Sequence, residues 1–357
     1  MPTRYVIITP VRDEEAYVED TLRSVVAQTF PPAEWVIVDD GSTDGTGAIL
    51  DRYARRHAWI RVIHRADRGF RMCGSGVMEA FEEGYRALGE SPWDLLAKLD
   101  ADLSFGQEYF QRCLQKFAED TELGVGGGVI YQARDGAREL EPSHASHVRG
   151  ATKIYRRACW DEIGGLIKSP GWDTVDELKA NMLGWKTRSF PDLLIRHNRR
   201  TGGADHPWRN AVKNGWADYV SGYHPLFMLL KCLKRSLEKP VLVGAAGHLF
   251  GFVRGYLRRL PRGGDRRFIR YARAQQLRRV ALRPGAYGRR IHAALDSGPT
   301  DASECGPAPT YQVGPDEAAF PQVGAKRPSA DLEVGTATLD PGPQCTSRRH
   351  PGRKLAA

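Results

Sequence analysis

Through the first 130 residues, five short aliphatic runs alternate with stretches whose apolar positions recur every three or four residues. The runs are Tyr5–Thr9, Trp35–Val38, Ile60–Ile63, Leu95–Leu99 and Gly124–Ile130. Short, continuous and rich in Val, Ile and Leu, they fit strands covered on both faces. Between them, Val18, Leu22, Val25 and Val26 fall on one helical face, and so do Ile49, Leu50, Tyr53 and Ala54. Val77, Ala80, Phe81 and Tyr85 mark a third helix, and Phe110, Leu114 and Phe117 a fourth. Strand and helix in alternation require right-handed crossovers and a mostly parallel sheet. The expected class is α/β, doubly wound, with helices on both faces of the sheet.

Further on the pattern is mixed. A polar stretch, Arg134–Ser146, reads as a loop, Ala158–Ile163 and Val175–Leu183 as short helices, and Lys186–Phe190 and Leu193–Arg196 as strands. From His224 the character changes: Pro225–Leu237 is apolar with interleaved Lys and Arg, and Val241–Val253 is apolar except for His248. From Asp296 onward Pro, Gly, Ser and Thr dominate without any periodicity, which predicts a disordered tail. The expected organisation is an α/β domain over residues 1–223, divided into halves 1–130 and 131–223. A basic helical region follows over 224–295 and a tail over 296–357.

Composition removes several classes. With 357 residues, 41% hydrophobic and 27% charged, the chain buries a sizeable core and is neither a disordered polymer nor a polytopic membrane protein. Its six cysteines lie far apart without a CxxC pair, unlike a zinc site or a secreted disulfide framework, so a reducing compartment is expected. The apolar run at the N-terminus is too short for a signal peptide and reads as the first strand. The net charge of +9 is local: thirteen Arg against Asp265 between Arg254 and Arg290 give +12, leaving the rest at −3. Any electrostatic partner belongs to that segment.

In an open parallel sheet, ligands bind beyond the carboxyl ends of the strands. The residues just after each run are therefore informative. Tyr5–Thr9 leads into Pro10-Val11-Arg12-Asp13-Glu14, Trp35–Val38 into Asp39-Asp40-Gly41-Ser42-Thr43-Asp44-Gly45, Ile60–Ile63 into His64-Arg65, and Leu95–Leu99 into Asp100-Ala101-Asp102. Parallel strands would gather all of these on one edge. Two glycine clusters carry less. Gly74-Ser75-Gly76 lacks the third glycine and the preceding strand of a dinucleotide fingerprint, and Gly126-Gly127-Gly128 fits close backbone approach.

In these motifs the chain resembles the family-2 glycosyltransferases of GT-A fold. The resemblance rests on Ile8-Thr9-Pro10-Val11-Arg12-Asp13-Glu14-Glu15, Val38-Asp39-Asp40-Gly41-Ser42-Thr43-Asp44-Gly45-Thr46 and Leu99-Asp100-Ala101-Asp102, and spans about residues 4–200. It implies a nucleotide-diphospho-sugar donor, UDP-sugar favoured, a divalent metal (Mg2+ or Mn2+) and inversion at the anomeric carbon. It also implies that one of Asp39 and Asp40 accepts the uracil ring N–H, with Thr9, Pro10 and Arg12 framing base and phosphates. By the same analogy Asp100 holds the ribose and Asp102 the metal. A hard cation on one or two carboxylates suits a diphosphate leaving group. Each motif has a structural alternative: a loop capped at Ser104 for Asp-x-Asp, and a turn with Ser42 or Asp44 capping a helix at Thr46–His57.

His197, after the strand Leu193–Arg196, is either a further metal ligand, as the family often has, or a satisfied histidine at a strand end; Arg199 and Arg200 could reach diphosphate oxygens. The acceptor side needs a general base. Gly171-Trp172-Asp173-Thr174-Val175-Asp176-Glu177-Leu178 resembles the family's Glu-Asp motif with Trp172 in the Glu position, which ranks Asp173 first as catalytic base and Asp176 second. The thirteen apolar residues from Val241 are too few to span a bilayer, so the basic end is expected to lie on an anionic membrane surface rather than to bind nucleic acid. The reading is a hydroxyl-directed sugar transfer to a lipid-linked or saccharide acceptor, in the cytoplasm and peripheral on the inner face of the cell membrane. A polyprenyl-phosphate sugar synthase and a non-catalytic nucleotide-binding or basic interaction protein are the alternatives.

Overall fold

A computed structural model describes residues 3–69, 75–134, 137–141, 147–199, 207–236 and 242–282. The tail from Asp296, together with Gly74, Arg200 and Val241, lies outside the described residues. Nine strands form one sheet: β1 (Tyr5–Val11), β2 (Glu34–Asp39), β3 (Ile60–His64), β4 (Leu95–Leu99), β5 (Leu103–Phe105), β6 (Leu123–Arg134), β7 (Ala137–Leu140), β8 (Thr152–Arg156) and β9 (Lys186–His197). Their order is β3-β2-β1-β4-β8-β6-β9-β5, with β7 paired to β6. β3, β2, β1 and β4 are mutually parallel, β8 enters antiparallel between β4 and β6, and β6 and β9 run parallel again. This is the α/β sheet that the alternating pattern predicts.

The helices of this part are α1 (Val18–Val26), α2 (Thr46–Arg56), α3 (Ser75–Ala87), α4 (Tyr109–Glu119), α5 (Arg157–Ile163) and α6 (Trp172–Met182). The central strands β1, β2 and β4 are buried on both sides because their runs are largely apolar. In β1, Tyr5 and Ile7 join the core formed with α1, α2 and α4, whereas Val6 and Ile8 join the core that includes residues of α3 and α5. At Gly127 a Cβ would run into the Thr152 carbonyl oxygen, so the glycine run serves close approach of β6 and β8, as expected.

Three expectations need correction. The polar stretch after Arg134 is partly strand: β7 folds back on the end of β6, with Tyr131 opposite Leu140. β8 is a strand that periodicity did not reveal. The two strands expected around Pro191 are one strand, interrupted by a register shift between Gly128 and Val129 against Phe190 and Leu194; a proline there donates nothing to the ladder.

Beyond the sheet, α7 (Pro207–Val220), α8 (Pro225–Arg235), α9 (Val243–Leu257) and α10 (Arg266–Leu282) enclose a third core around Tyr219, Met228, Phe252 and Phe268. α7 and α9 pack backbone to backbone. A Cβ on Gly251 would overlap the Val212 carbonyl oxygen, and one on Gly215 the His248 carbonyl oxygen.

Candidate active site

The parallel register brings the ends of β1, β2 and β4 to one edge, and backbone hydrogen bonds hold them there. Asp40 N–H donates to the Val11 carbonyl (2.8 Å) and Arg65 N–H to that of Asp39 (2.8 Å). After the two aspartates the chain turns sharply at Gly41, whose φ of +74° and 2.6 Å Cβ approach to Asp67 Cα admit no side chain. The Asp13–Glu15 loop is fastened to the loop after β2. Asp13 N–H donates to Ser42 Oγ (3.0 Å), Glu14 N–H to Thr46 Oγ1 (2.8 Å) and Glu15 N–H to Asp44 Oδ2 (3.1 Å). Asp44 also accepts Thr46 N–H at the start of α2.

Both carboxylates of the Asp39-Asp40 pair are buried and engaged. Asp39 accepts Ser42 N–H at 2.9 Å and meets His64 Nδ1 at 2.9 Å. Asp40 is gripped by Arg65 and Arg68, while Arg12 donates to the Asp40 backbone carbonyl and to Asp67 Oδ1 (2.6 Å). The edge thus carries Arg12, Arg65 and Arg68 beside two acids, a surface suited to a polyanionic nucleotide. Pro10 stands opposite Val38 in the ladder. Thr9 does not face this edge. It is 1% exposed and accepts the Trp35 indole N–H at 2.9 Å, so its hydroxyl is spent inside the sheet and does not frame a base.

At the end of β4, Asp100 is paired with Lys98, a buried lysine whose Nζ lies 5.2 Å from the Trp172 ring centroid. Two residues on, Asp102 Oδ2 lies 3.2 Å from His197 Nε2, with β5 and the end of β9 bringing together residues 95 apart in sequence. The other ring nitrogen, Nδ1, lies 3.1 Å from Glu141 Oε1, and Glu141 is held by Arg149. Burial disfavours charge on this imidazole, but the hydrogen bonds to Asp102 and Glu141 outweigh it and push the group up to about 10. Arg199 pairs with Glu14 and approaches Asp102 to 3.8 Å. Ser104 sits in β5, where Asn198 donates to it, and caps no helix.

Among the described residues no three His, Cys, Asp or Glu side chains gather around one point as a complete metal cage. The donor chemistry still fits a divalent cation. Asp102 Oδ2 and His197 Nε2 are close enough to share one ion, and the second imidazole nitrogen faces a carboxylate, the usual arrangement for a ligating histidine. Cations that bind diphosphates commonly take only one or two protein side chains and leave the other positions to phosphate and water. Glu141 went unnoticed in the sequence; it stands in a polar stretch, and only the pairing of β7 with β6 turns it toward His197.

The candidate bases lie on α6, which starts at Trp172 rather than at Val175, so Asp173 lies in its first turn instead of the preceding loop. No side chain caps this helix. The two candidate bases differ sharply. Asp176 is 2% exposed; Lys153 Nζ donates to both its oxygens at 2.8 Å and the Tyr155 hydroxyl to Oδ2 at 2.5 Å. Burial raises this carboxyl against the pull of Lys153. Glu177 accepts Val148 N–H at 2.7 Å and meets His147 Nδ1 at 2.8 Å. An acceptor hydroxyl cannot reach Asp176, which corrects its ranking as second choice. Asp173 is half-buried, and among the described residues its carboxylate has no hydrogen-bond or ion-pair partner; Lys153 holds only its backbone carbonyl. The Trp172 ring lies 5.2 Å from the Lys98 ammonium and 5.6 Å from that of Lys153, its partner across the β4–β8 ladder, which brings the start of α6 to the Asp100 end of the sheet.

Comparison with known proteins agrees with this geometry. The model of the family Glycosyl transferase family 2 matches residues 6–170, from β1 to the residue before the Gly171 that precedes α6. The uncharacterized glycosyltransferase EpsJ of Bacillus subtilis is 29% identical over 41% of this chain and 40% of its own length. The putative teichuronic acid biosynthesis glycosyltransferase TuaG of the same organism is 32% identical over 36% of this chain and 48% of its own. The chain thus spans less than half the length of these relatives. A solved structure of the Pyrobaculum calidifontis mannosyltransferase PcManGT, in complex with GDP-Man and Mn2+, is 17% identical and covers 83% of this chain and 79% of its own, with a TM-score of 0.47. Strand-end motifs, sheet order and family match converge: residues 6–170 are a family-2 glycosyltransferase domain.

Proposed function

We propose that the protein transfers a sugar, with inversion, from a nucleotide-diphospho-sugar to a hydroxyl acceptor. The observation that carries this reading is the gathering of Arg12, Asp39, Asp40, Asp100, Asp102 and His197 at the carboxyl ends of β1, β2, β4 and β9, with Asp173, whose carboxylate has no hydrogen-bond or ion-pair partner among the described residues, in the first turn of α6. Asp39 or Asp40 would receive the ring N–H of a uracil base and Asp100 the ribose hydroxyls. Arg12 and Arg199 would face the diphosphate. Asp102 and His197 would hold Mg2+ or Mn2+, which neutralises charge on the departing diphosphate.

On the opposite side Asp173 would take the proton of the acceptor hydroxyl as its oxygen attacks the anomeric carbon. The C–O bond to the diphosphate breaks from the far face, which inverts that carbon. Teichuronic acid biosynthesis in the name of TuaG supports assembly of a cell-surface polysaccharide or glycolipid, on a saccharide or lipid-linked acceptor at the inner face of the membrane. The boundaries 1–223, 224–295 and 296–357 are part of the same reading. A panel of nucleotide sugars tested for nucleoside-diphosphate release with Mg2+ or Mn2+ is the direct test. Release from a UDP-sugar, abolished by EDTA and restored by metal, is expected; no release from any donor in the presence of acceptor glycans overturns the reading.

A further inference from the structure

The helices after the sheet are apolar outside as well as inside. On α8, the exposed positions include Leu226, Leu229, Leu230 and Leu233, spaced as one helical stripe. On α9, Leu249, Phe250, Val253 and Leu257 are exposed, and Leu257 is 79% accessible. Beside their apolar core the helices also bury polar and small groups. His248 is buried, its Nε2 2.6 Å from Asp218 Oδ2 and its Nδ1 2.9 Å from Arg235, while Lys231 Nζ lies 2.6 Å from the same Asp218 oxygen. Gly247, Gly251 and Gly255, each four residues apart, form the face of α9 against α7. With the interior already filled, two leucine-rich stripes left on the outside form an exposed apolar surface of the kind that marks a partner or membrane contact.

We infer that the outward stripes of α8 and α9 insert into the headgroup–acyl boundary of an anionic bilayer. Charge complementarity supports lipid as the occupant: residues 225–260 hold seven Lys and Arg and one acid, Glu238, and Lys234, Arg254, Arg258 and Arg259 are exposed at the helix ends. Insertion is in the plane of the membrane. α9 has 15 residues, about 22 Å of helix, against the roughly 30 Å of a hydrocarbon core. Among the described residues no helix is long and apolar enough to cross. Amphipathic helices bind in this manner through buried apolar area plus attraction to anionic headgroups.

This inference deepens the membrane part of the proposed function and stands apart from the donor chemistry. The test is flotation of the full chain with phosphatidylglycerol/phosphatidylcholine vesicles, alongside nucleoside-diphosphate release from a UDP-sugar. Leu230→Gln with Leu233→Gln, and Phe250→Gln with Leu257→Gln, preserve charge and alter only exposed positions. The wild type is expected to float with the vesicles. Each double variant should lose about 10-fold or more in bound fraction, with melting temperature and diphosphate release unchanged. Flotation equal to wild type in both variants overturns the inference. So does a wild type that stays unbound, including one whose stripes are covered by a second copy and whose dimer the variants dissociate. Failure of diphosphate release in the wild type would count against the donor reading alone.

Discussion

Lys153 and Asp176 form a closed pair between β8 and α6: the ammonium donates to both carboxylate oxygens at 2.8 Å, with side chains 0% and 1% exposed. Glu177 stands 3.0 Å from the same ammonium, and His147 beyond it. Through the Asp173 carbonyl, the Lys153 ammonium also fixes the turn carrying the candidate base.

The pair predicts how two neighbouring aspartates respond to mutation. Asp176→Ala leaves a buried ammonium with one partner fewer, a change that costs about 3–5 kcal/mol for such pairs. It should lower the melting temperature sharply. Asp173→Asn should leave stability unchanged and donor affinity intact while transfer slows by about 10²–10⁴-fold, the usual worth of a general base. Thermal melts and steady-state rates on both variants check this; a stable but inactive Asp176→Asn would return the base to that position.

Glu141 supplies a second prediction. Its carboxylate faces His197 Nδ1 at 3.1 Å and so fixes which ring nitrogen turns to Asp102. Loss of such an orienting carboxylate commonly weakens metal affinity about 10–100-fold. Glu141→Gln should therefore raise the Mn2+ concentration needed for half-maximal activity by that factor, with activity recovered at saturating metal. Asp102→Asn, which removes a ligand, should not recover. Equal metal titrations for wild type and Glu141→Gln would remove Glu141 from the site.

The pH dependence of stability gives a third. Burial disfavours charge on His147, but Glu177 outweighs it and raises the imidazole above its ordinary 6.5; Lys153 and Asp173 also face it, with opposite effects. A histidine raised in the folded state binds protons more tightly there than when unfolded. Its contribution is complete below the unfolded value and fades as pH rises through the folded one. Wild-type melting temperature should fall over that window relative to His147→Gln, whose profile should be flatter. Parallel profiles for the two proteins would refute the assignment.

The strand-end motifs were legible in sequence because apolar runs buried on both faces leave few places for polar residues other than their ends. β1, β2, β3 and β4 fell within two residues of expectation for that reason. β8 was not legible. Its strand Thr-Lys-Ile-Tyr-Arg places Lys153 in the core, and what makes a lysine tolerable there, Asp176 and Glu177, arrives from a helix more than twenty residues later. The same non-local contact distinguishes the buried Asp176 from Asp173, since spacing says nothing about which carboxylate turns inward. Glu141 and the shared position of Asp102 and His197 likewise depend on β5, β7 and β9, short or polar elements defined by their partners.

Gly251 tests the helical part of the chain. The backbones of α7 and α9 touch where a Cβ on Gly251 would overlap the Val212 carbonyl oxygen, with Trp216 N 3.1 Å away. Neither neighbour is a flexible side-chain end, so a larger residue must push the helices apart. The buried Asp218–His248 contact lies beside that crossing and would open with it. Overpacking of a well-filled interior costs about 1–3 kcal/mol, and loss of a buried charged hydrogen bond adds to it. Gly251→Val should therefore depress the melting temperature by several degrees, whereas Val253→Gln, two residues on and outward-facing, should leave it near wild type. A Gly251→Val protein that melts with the wild type would mean that the helices do not cross at this point.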